Sequence, residues 1–183
     1  TKKVLSTKEH QEIARKVAEK SFVLLKNNGL LPLNPAKMKK VAVLVEDMYQ
    51  DQEVWYPYFR LKEAGFEVYA VGTGRAKIYK SKHGYEIPEE LTAADARKKG
   101  FDAVIIPGGF APDILRRYDD VNQFVAELFK NGKVVASICH GGWVLVSAGV
   151  LKGRTATSFF AIKDDLTNAG AKYVDQEVVV DGN

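Results

Sequence analysis

The chain carries one cysteine, and its neighbours make it the residue best suited to chemistry. Cys139 follows the run Val134-Val135-Ala136-Ser137-Ile138 and precedes His140-Gly141-Gly142. This pattern places it at a strand end, on a sharp turn into a helix, where a nucleophile elbow projects its side chain into a crevice. The helix N-terminus behind the thiol is expected to lower its pKa and favour the reactive thiolate. Gly141 and Gly142 leave room for backbone amides to approach a substrate. Gly108-Gly109, ending a different apolar run, would supply an amide for a developing oxyanion. A lone cysteine is more often an inert buried residue, and the strand-end position before His-Gly-Gly tips the balance towards function. His140 is only a sequence neighbour of the thiol, so its use requires a further orienting group.

Other chemistry-bearing patterns are weaker. Gly72-Thr73-Gly74-Arg75 follows a strand but lacks the full dinucleotide fingerprint, so a loop is expected. Asp164-Asp165 has no further ligands at metal spacing and reads as a helix start. Three scattered histidines and one cysteine give no zinc pattern. Neither metal nor cofactor is expected. Trp55, Tyr56, Tyr58 and Phe59 read as core and interface aromatics, with an exposed subset marking a self-association patch.

The elements that must position Cys139 alternate. Ser6 to Glu9 forms a capping box, and a broad apolar stripe through Ile13, Val17, Phe22 and Leu25 predicts a helix ending at Asn27-Asn28-Gly29. Residues 30–38, with Pro32 and Pro35, form a connector. Val41–Val45 and Phe66–Val71 read as buried strands flanking a helix over Asp51–Ala64. The stretch Gly72–Leu91 suggests a hairpin excursion bent at Gly84. A short helix over Thr92–Lys99, a strand at Ala103–Ile106, a helix over Asp119–Lys130 and a strand at Lys133–Ile138 follow. Helices are then expected at His140–Ala148 and Lys163–Asn168, and a strand at Glu177–Val180. This order predicts an α/β fold, a mainly parallel sheet with helices on both faces. Ligands of such sheets lie beyond the carboxyl ends of the strands.

Composition sets the outer bounds. The 183 residues are 46% hydrophobic and 27% charged, which excludes intrinsic disorder. No run approaches a membrane span, and the basic N-terminus lacks the apolar region of a secretory signal. The net charge of +4 is dispersed, Lys37, Lys39 and Lys40 being the tight group, so no nucleic-acid partner is expected. A single cysteine suits a reducing cytoplasm.

Residues 40–183 closely resemble the ThiJ/PfpI superfamily, particularly its intracellular-peptidase branch. The resemblance rests on Tyr56-Pro57-Tyr58-Phe59-Arg60-Leu61-Lys62-Glu63-Ala64-Gly65, Lys82-His83-Gly84-Tyr85, Pro107-Gly108-Gly109-Phe110-Ala111-Pro112, Ala136-Ser137-Ile138-Cys139-His140-Gly141, and Ile162-Lys163-Asp164-Asp165 leading into Asn168-Ala169-Gly170. It implies a flavodoxin-like three-layer sandwich with Cys139 as nucleophile and His140 as its catalytic partner. In that branch the histidine is oriented by a carboxylate from a neighbouring subunit, at the position of Asp113, where Glu is usual. The acid that hydrogen-bonds the thiol corresponds to Glu53, and a protonated Glu53 would donate to the thiolate. Gly109 and the His140 amide match the oxyanion hole. Gly142 stands where Pro is common, and Phe159 where some members have Tyr. The family includes cysteine peptidases, cofactor-independent glyoxalases and deglycases, all attacking a carbonyl with a thiolate. Small carbonyl compounds, glycated groups or peptides are the implied substrates, with a homo-oligomer completing the site.

The segment from His10 through Leu24-Leu25-Lys26-Asn27-Asn28-Gly29-Leu30-Leu31-Pro32-Leu33 is similar instead to the start of the second domain of family-three glycoside hydrolases, the β-glucosidases. Glycosidase activity is not implied, because that family's nucleophile lies in a barrel domain absent here. The ThiJ/PfpI pattern normally continues past Asn183 into a strand and helix. These observations suggest a processed, recombined or engineered chain, one α/β domain whose residues 1–39 precede the ThiJ/PfpI-like part. The helix over Thr7–Asn28 is expected to cover the place of the C-terminal helix. Two alternatives to an enzyme stand: a chimeric scaffold without activity, and a sensor in which Cys139 oxidises without turnover.

Overall fold

The computed structural model describes residues 38–182. The helix expected over Thr7–Asn28, nearly all of the connector and the glycoside-hydrolase-like segment therefore lie outside the described residues.

Nine strands and six helices follow one another among the described residues. They run β1 (Lys40–Leu44), α1 (Asp51–Glu63), β2 (Glu67–Gly72), β3 (Ile78–Lys80), β4 (Glu86–Pro88), β5 (Leu91–Thr92), α2 (Ala93–Ala96), β6 (Ala103–Ile106), α3 (Ala111–Leu115), α4 (Asp119–Lys130), β7 (Val134–Ser137), α5 (Gly142–Ser147), β8 (Thr155–Ala156), α6 (Lys163–Asn168) and β9 (Lys172–Tyr173). Single 3-10 turns at Cys139–Gly141 and Phe160–Ile162 introduce α5 and α6.

Five strands form a parallel sheet in the order β5-β2-β1-β6-β7. The central strand β1 is buried on both faces, which explains the unbroken apolar run Val41–Val45. The connection β1-α1-β2 moves one way along the sheet and β6-α4-β7 the other. Right-handed crossovers then place α1 and α4 on opposite faces, giving the three-layer α/β architecture expected. The order reverses between β1 and β6, and ligands of such sheets bind at that switch point, which here lies beyond Leu44 and Ile106. The Gly72–Leu91 excursion is the expected hairpin, β3 against β4. No helix of the described residues is long and apolar enough to cross a membrane.

Several elements differ from expectation, the short strands β5, β8 and β9 among them, since none was expected. Glu177–Val180 is not a strand. Strand β8 pairs with β9, and the Thr155 N–H goes to the Asp181 carboxylate at 2.6 Å rather than to a backbone carbonyl, so 177–180 finds no ladder there. The helix over Thr92–Lys99 shortens to Ala93–Ala96, capped by Thr92 accepting from the Asp95 N–H, because its last residues tighten into turns before Gly100. Helix α3 was not expected at all, although Pro112 in its first turn is a helix-start signal.

The face of α4 towards the sheet carries Val121, Phe124, Val125 and Leu128, all buried. Phe124 is 2% exposed and meets Phe101 edge-on at 5.6 Å. Replacing Phe124 by Ala is expected to destabilise the chain by about 3–5 kcal/mol, measured by urea unfolding. A loss below about 1 kcal/mol would contradict this account of the core.

Candidate active site

Cys139 lies just past β7, and its backbone has φ of 58°, in the left-handed region that a side chain rarely adopts. The 3-10 turn Cys139–Gly141 and then α5 leave directly from this point. The turn is tight enough that a Cβ at Gly141 would overlap the Ile106 carbonyl oxygen at the end of β6. Glycine is thus required there by close approach, which is why the elbow reads Cys-His-Gly.

Three segments from separate strand ends meet at the thiol. Gly108 follows β6, and a Cβ built on it would lie 2.7 Å from Glu53 Oε2 and 3.0 Å from Cys139 Sγ. Glu53, in the first turn of α1, accepts the Gly108 N–H at 2.7 Å. Gly109, at φ 79°, packs on the backbone of Met48 to Gln50. The Phe110 N–H closes that contact by donating to the Met48 carbonyl at 2.9 Å. Cys139 Sγ lies 3.3 Å from His140 Nδ1. Cys139, Glu53, His140, Gly108 and Gly109 are therefore brought together, with Gly141 buried beneath them.

Asp113 is not among them within one chain. It sits in the first turn of α3 and pairs with Arg117 one turn on. Arg117 Nε also donates to the Asp113 carbonyl at 3.0 Å.

The electrostatics of the thiol run against the expected depression. Burial pushes the Cys139 thiol above its ordinary value of 9.0, and the charge of the Glu53 carboxylate pushes it further the same way. The backbone N–H groups of Gly109 and His140 donate towards the sulfur and act in the opposite sense, without prevailing. The helix expected to depress the thiol begins only at Gly142, beyond the 3-10 turn, and spans six residues. Its partial charge is correspondingly remote.

Neighbouring candidates resolve into structural roles. Arg75 bonds the fully buried Glu46 at 2.6 Å, and Thr73 donates to the same carboxylate at 2.5 Å. The Gly72–Arg75 loop thus neutralises a buried acid and is not a phosphate cradle. Asp165 accepts the Trp143 indole N–H at 3.0 Å. Among the described residues no group of three or more His, Cys, Asp or Glu could hold a metal ion. Tyr58 is core, while Tyr56 and Phe59 are 58% and 59% exposed. Sequence reasoning passed over Trp143, whose ring lies against His140. The signal was its i,i+3 spacing from the histidine.

The DJ-1/PfpI family model matches residues 39–183. A deglycase of Thermococcus kodakarensis is 48% identical over 144 residues, covering 79% of this chain and 86% of the relative. The deglycase PfpI of Pyrococcus furiosus is 44% identical with the same coverage. Among solved structures, DJ-1beta of Drosophila melanogaster superposes with a TM-score of 0.74 at 27% identity, covering 80% of this chain and 79% of that one. A two-domain protein of Anabaena variabilis, with DJ-1/ThiJ/PfpI-like and ferritin-like domains, gives a TM-score of 0.77 at 46% identity. That match takes in 79% of this chain but only 42% of the two-domain one.

The sign of the Glu53 effect is testable. Alkylation of Cys139 by iodoacetamide should rise with pH, with a midpoint above 9.0. Glu53→Gln removes the charge but keeps a donor, so its midpoint should move down and alkylation at neutral pH should quicken. An unchanged or raised midpoint would contradict the electrostatic assignment.

Proposed function

The chain belongs to the DJ-1/PfpI family, and from that premise we propose that it is a cysteine-dependent hydrolase of the deglycase type. Its substrates are small 2-oxoaldehydes and the adducts they form on amino or thiol groups, with peptide bonds a poorer target. The observation that carries this reading is the convergence of a thiol, a carboxylate and two backbone N–H groups on one crevice. A thiol flanked in that way can attack a carbonyl carbon and leave the resulting oxyanion facing donors.

In this mechanism Cys139 and Glu53 share one proton. With the proton on sulfur and Glu53 ionised, the site rests. Transfer of the proton to Glu53 leaves a thiolate that the carboxyl now supports as a donor. The thiolate forms a C–S bond with the aldehyde carbon, and the carbonyl electron pair moves to oxygen, against the N–H groups of Gly109 and His140. His140, in contact with Sγ, supplies and removes protons as the hemithioacetal rearranges. The rearrangement moves the aldehyde C–H proton to the neighbouring carbon, oxidising the first to a thioester and reducing the ketone to a carbinol. Water then hydrolyses the thioester C–S bond, so that a 2-oxoaldehyde plus water gives a 2-hydroxy acid with no external oxidant or reductant. Asp113, paired with Arg117 in its own chain, is assigned to the interface of a homo-oligomer. There it would orient a partner's histidine, with a shorter reach than Glu.

A sensor role fits less well. Redox-sensor cysteines are low-pKa and accessible, whereas Cys139 is half-buried and its thiol is pushed up.

Methylglyoxal consumption and lactate formation provide the test. Cys139→Ala should abolish turnover, and Glu53→Gln should lower kcat by roughly 10²–10⁴-fold even though its thiol alkylates faster. Turnover that survives Cys139→Ala would refute the reading, and an inactive wild-type chain would favour the scaffold alternative.

A further inference from the structure

His140 is flanked by two aromatic rings of its own chain. The Trp143 indole lies 5.1 Å from the imidazole, centroid to centroid, at 61°. The Phe159 ring lies 4.8 Å away at 35°, with Phe160 packed behind it at 4.5 Å. Such tilted and edge-on pairs are favoured by the ring quadrupoles and restrict ring orientation.

Both rings are anchored. Trp143 donates its indole N–H to Asp165 at the start of α6 at 3.0 Å. The Arg116 guanidinium lies over the same indole at 5.7 Å and is itself bonded to Ser147 at 2.9 Å. The Phe159 N–H donates to the Cys139 carbonyl at 3.2 Å, so the backbone that carries this ring is tied to the peptide of the thiol. The imidazole, in contrast, has its hydrogen bond to Sγ alone among the described residues, and Asp113 is engaged with Arg117.

We infer that Trp143 and Phe159 are positioning residues for His140, fixing its ring so that Nδ1 faces Cys139 Sγ within a single chain. This rests on the reading of His140, in contact with Sγ, as the residue that supplies and removes protons beside Cys139. Neither aromatic touches the reacting atoms; each acts through the imidazole. Asp165 belongs to the same device, because it sets the tilt of the indole.

The pH profile of iodoacetamide alkylation tests this without requiring turnover. Wild type, His140→Ala, Trp143→Ala, Trp143→Phe and Phe159→Ala would be compared, with thermal unfolding as a control for folding. Trp143→Ala should slow alkylation at neutral pH by about three- to tenfold and shift the profile in the same direction as His140→Ala. Trp143→Phe, which keeps a ring against the imidazole but loses the N–H to Asp165, should fall between Trp143→Ala and wild type. Should Trp143→Ala fail to fold, Asp165→Asn carries the test, because it keeps the indole and weakens only its anchor; a shifted profile is again expected. A Trp143→Ala or Asp165→Asn profile equal to wild type, with His140→Ala shifted, would overturn the positioning role and leave the proposed function standing. A His140→Ala profile equal to wild type would overturn the positioning role, and methylglyoxal turnover that survives His140→Ala would overturn the role of His140 in the proposed function as well.

Discussion

The left-handed backbone at Cys139 is the constraint on which the site depends. A residue with a side chain resists φ of 58°, and such strain persists only where the surroundings over-determine it. Here they do. The Ile138 N–H donates to the Ile106 carbonyl at 3.1 Å, extending the β6–β7 ladder to the residue before the turn. Gly141 then fits against that same carbonyl, where any Cβ would overlap. From there the Phe159 N–H fixes the Cys139 carbonyl. Two strands, a glycine and a distant loop thereby hold one torsion, and the thiol is delivered to the crevice as a result.

That delivery places the sulfur between opposing influences. Burial and the Glu53 charge raise the thiol, while the Gly109 and His140 N–H groups pull it down. The raised thiol is therefore held neutral at rest rather than as a permanent thiolate. The same carboxylate secures the β6 loop by accepting the Gly108 N–H. Glu53 therefore couples the shape of the Gly108–Gly109 loop to the charge state of the thiol. A change at this one side chain alters both geometry and electrostatics, and neither can be read in isolation.

Much of the sheet was legible in the sequence, because parallel strands buried on both faces announce themselves as apolar runs such as Val41–Val45. The crevice was legible too, since Gly108-Gly109 and Cys139-His140-Gly141 each follow such a run. The failures share a cause: they depend on partners distant in the chain. Glu177–Val180 looks like a strand, but ladder bonds need a free edge, and Asp181 caps Thr155 instead. The direction of the thiol shift could not be read from a helix position alone, because burial and Glu53 arrive from other segments. Trp143 drew no reading from the sequence, because only the fold places its ring on His140. Asp113, placed by resemblance, is found paired with Arg117.

The most direct measurement compares the unfolding free energies of Cys139→Gly and Cys139→Ala. Both remove the thiol, so they differ only in what the backbone at this position demands. If the fold forces a left-handed torsion there, Cys139→Gly should be the more stable by about 1 kcal/mol, despite the greater freedom of glycine in the unfolded chain. Equal stability, or a more stable Cys139→Ala, would show that the elbow is not held in that conformation and would contradict the account.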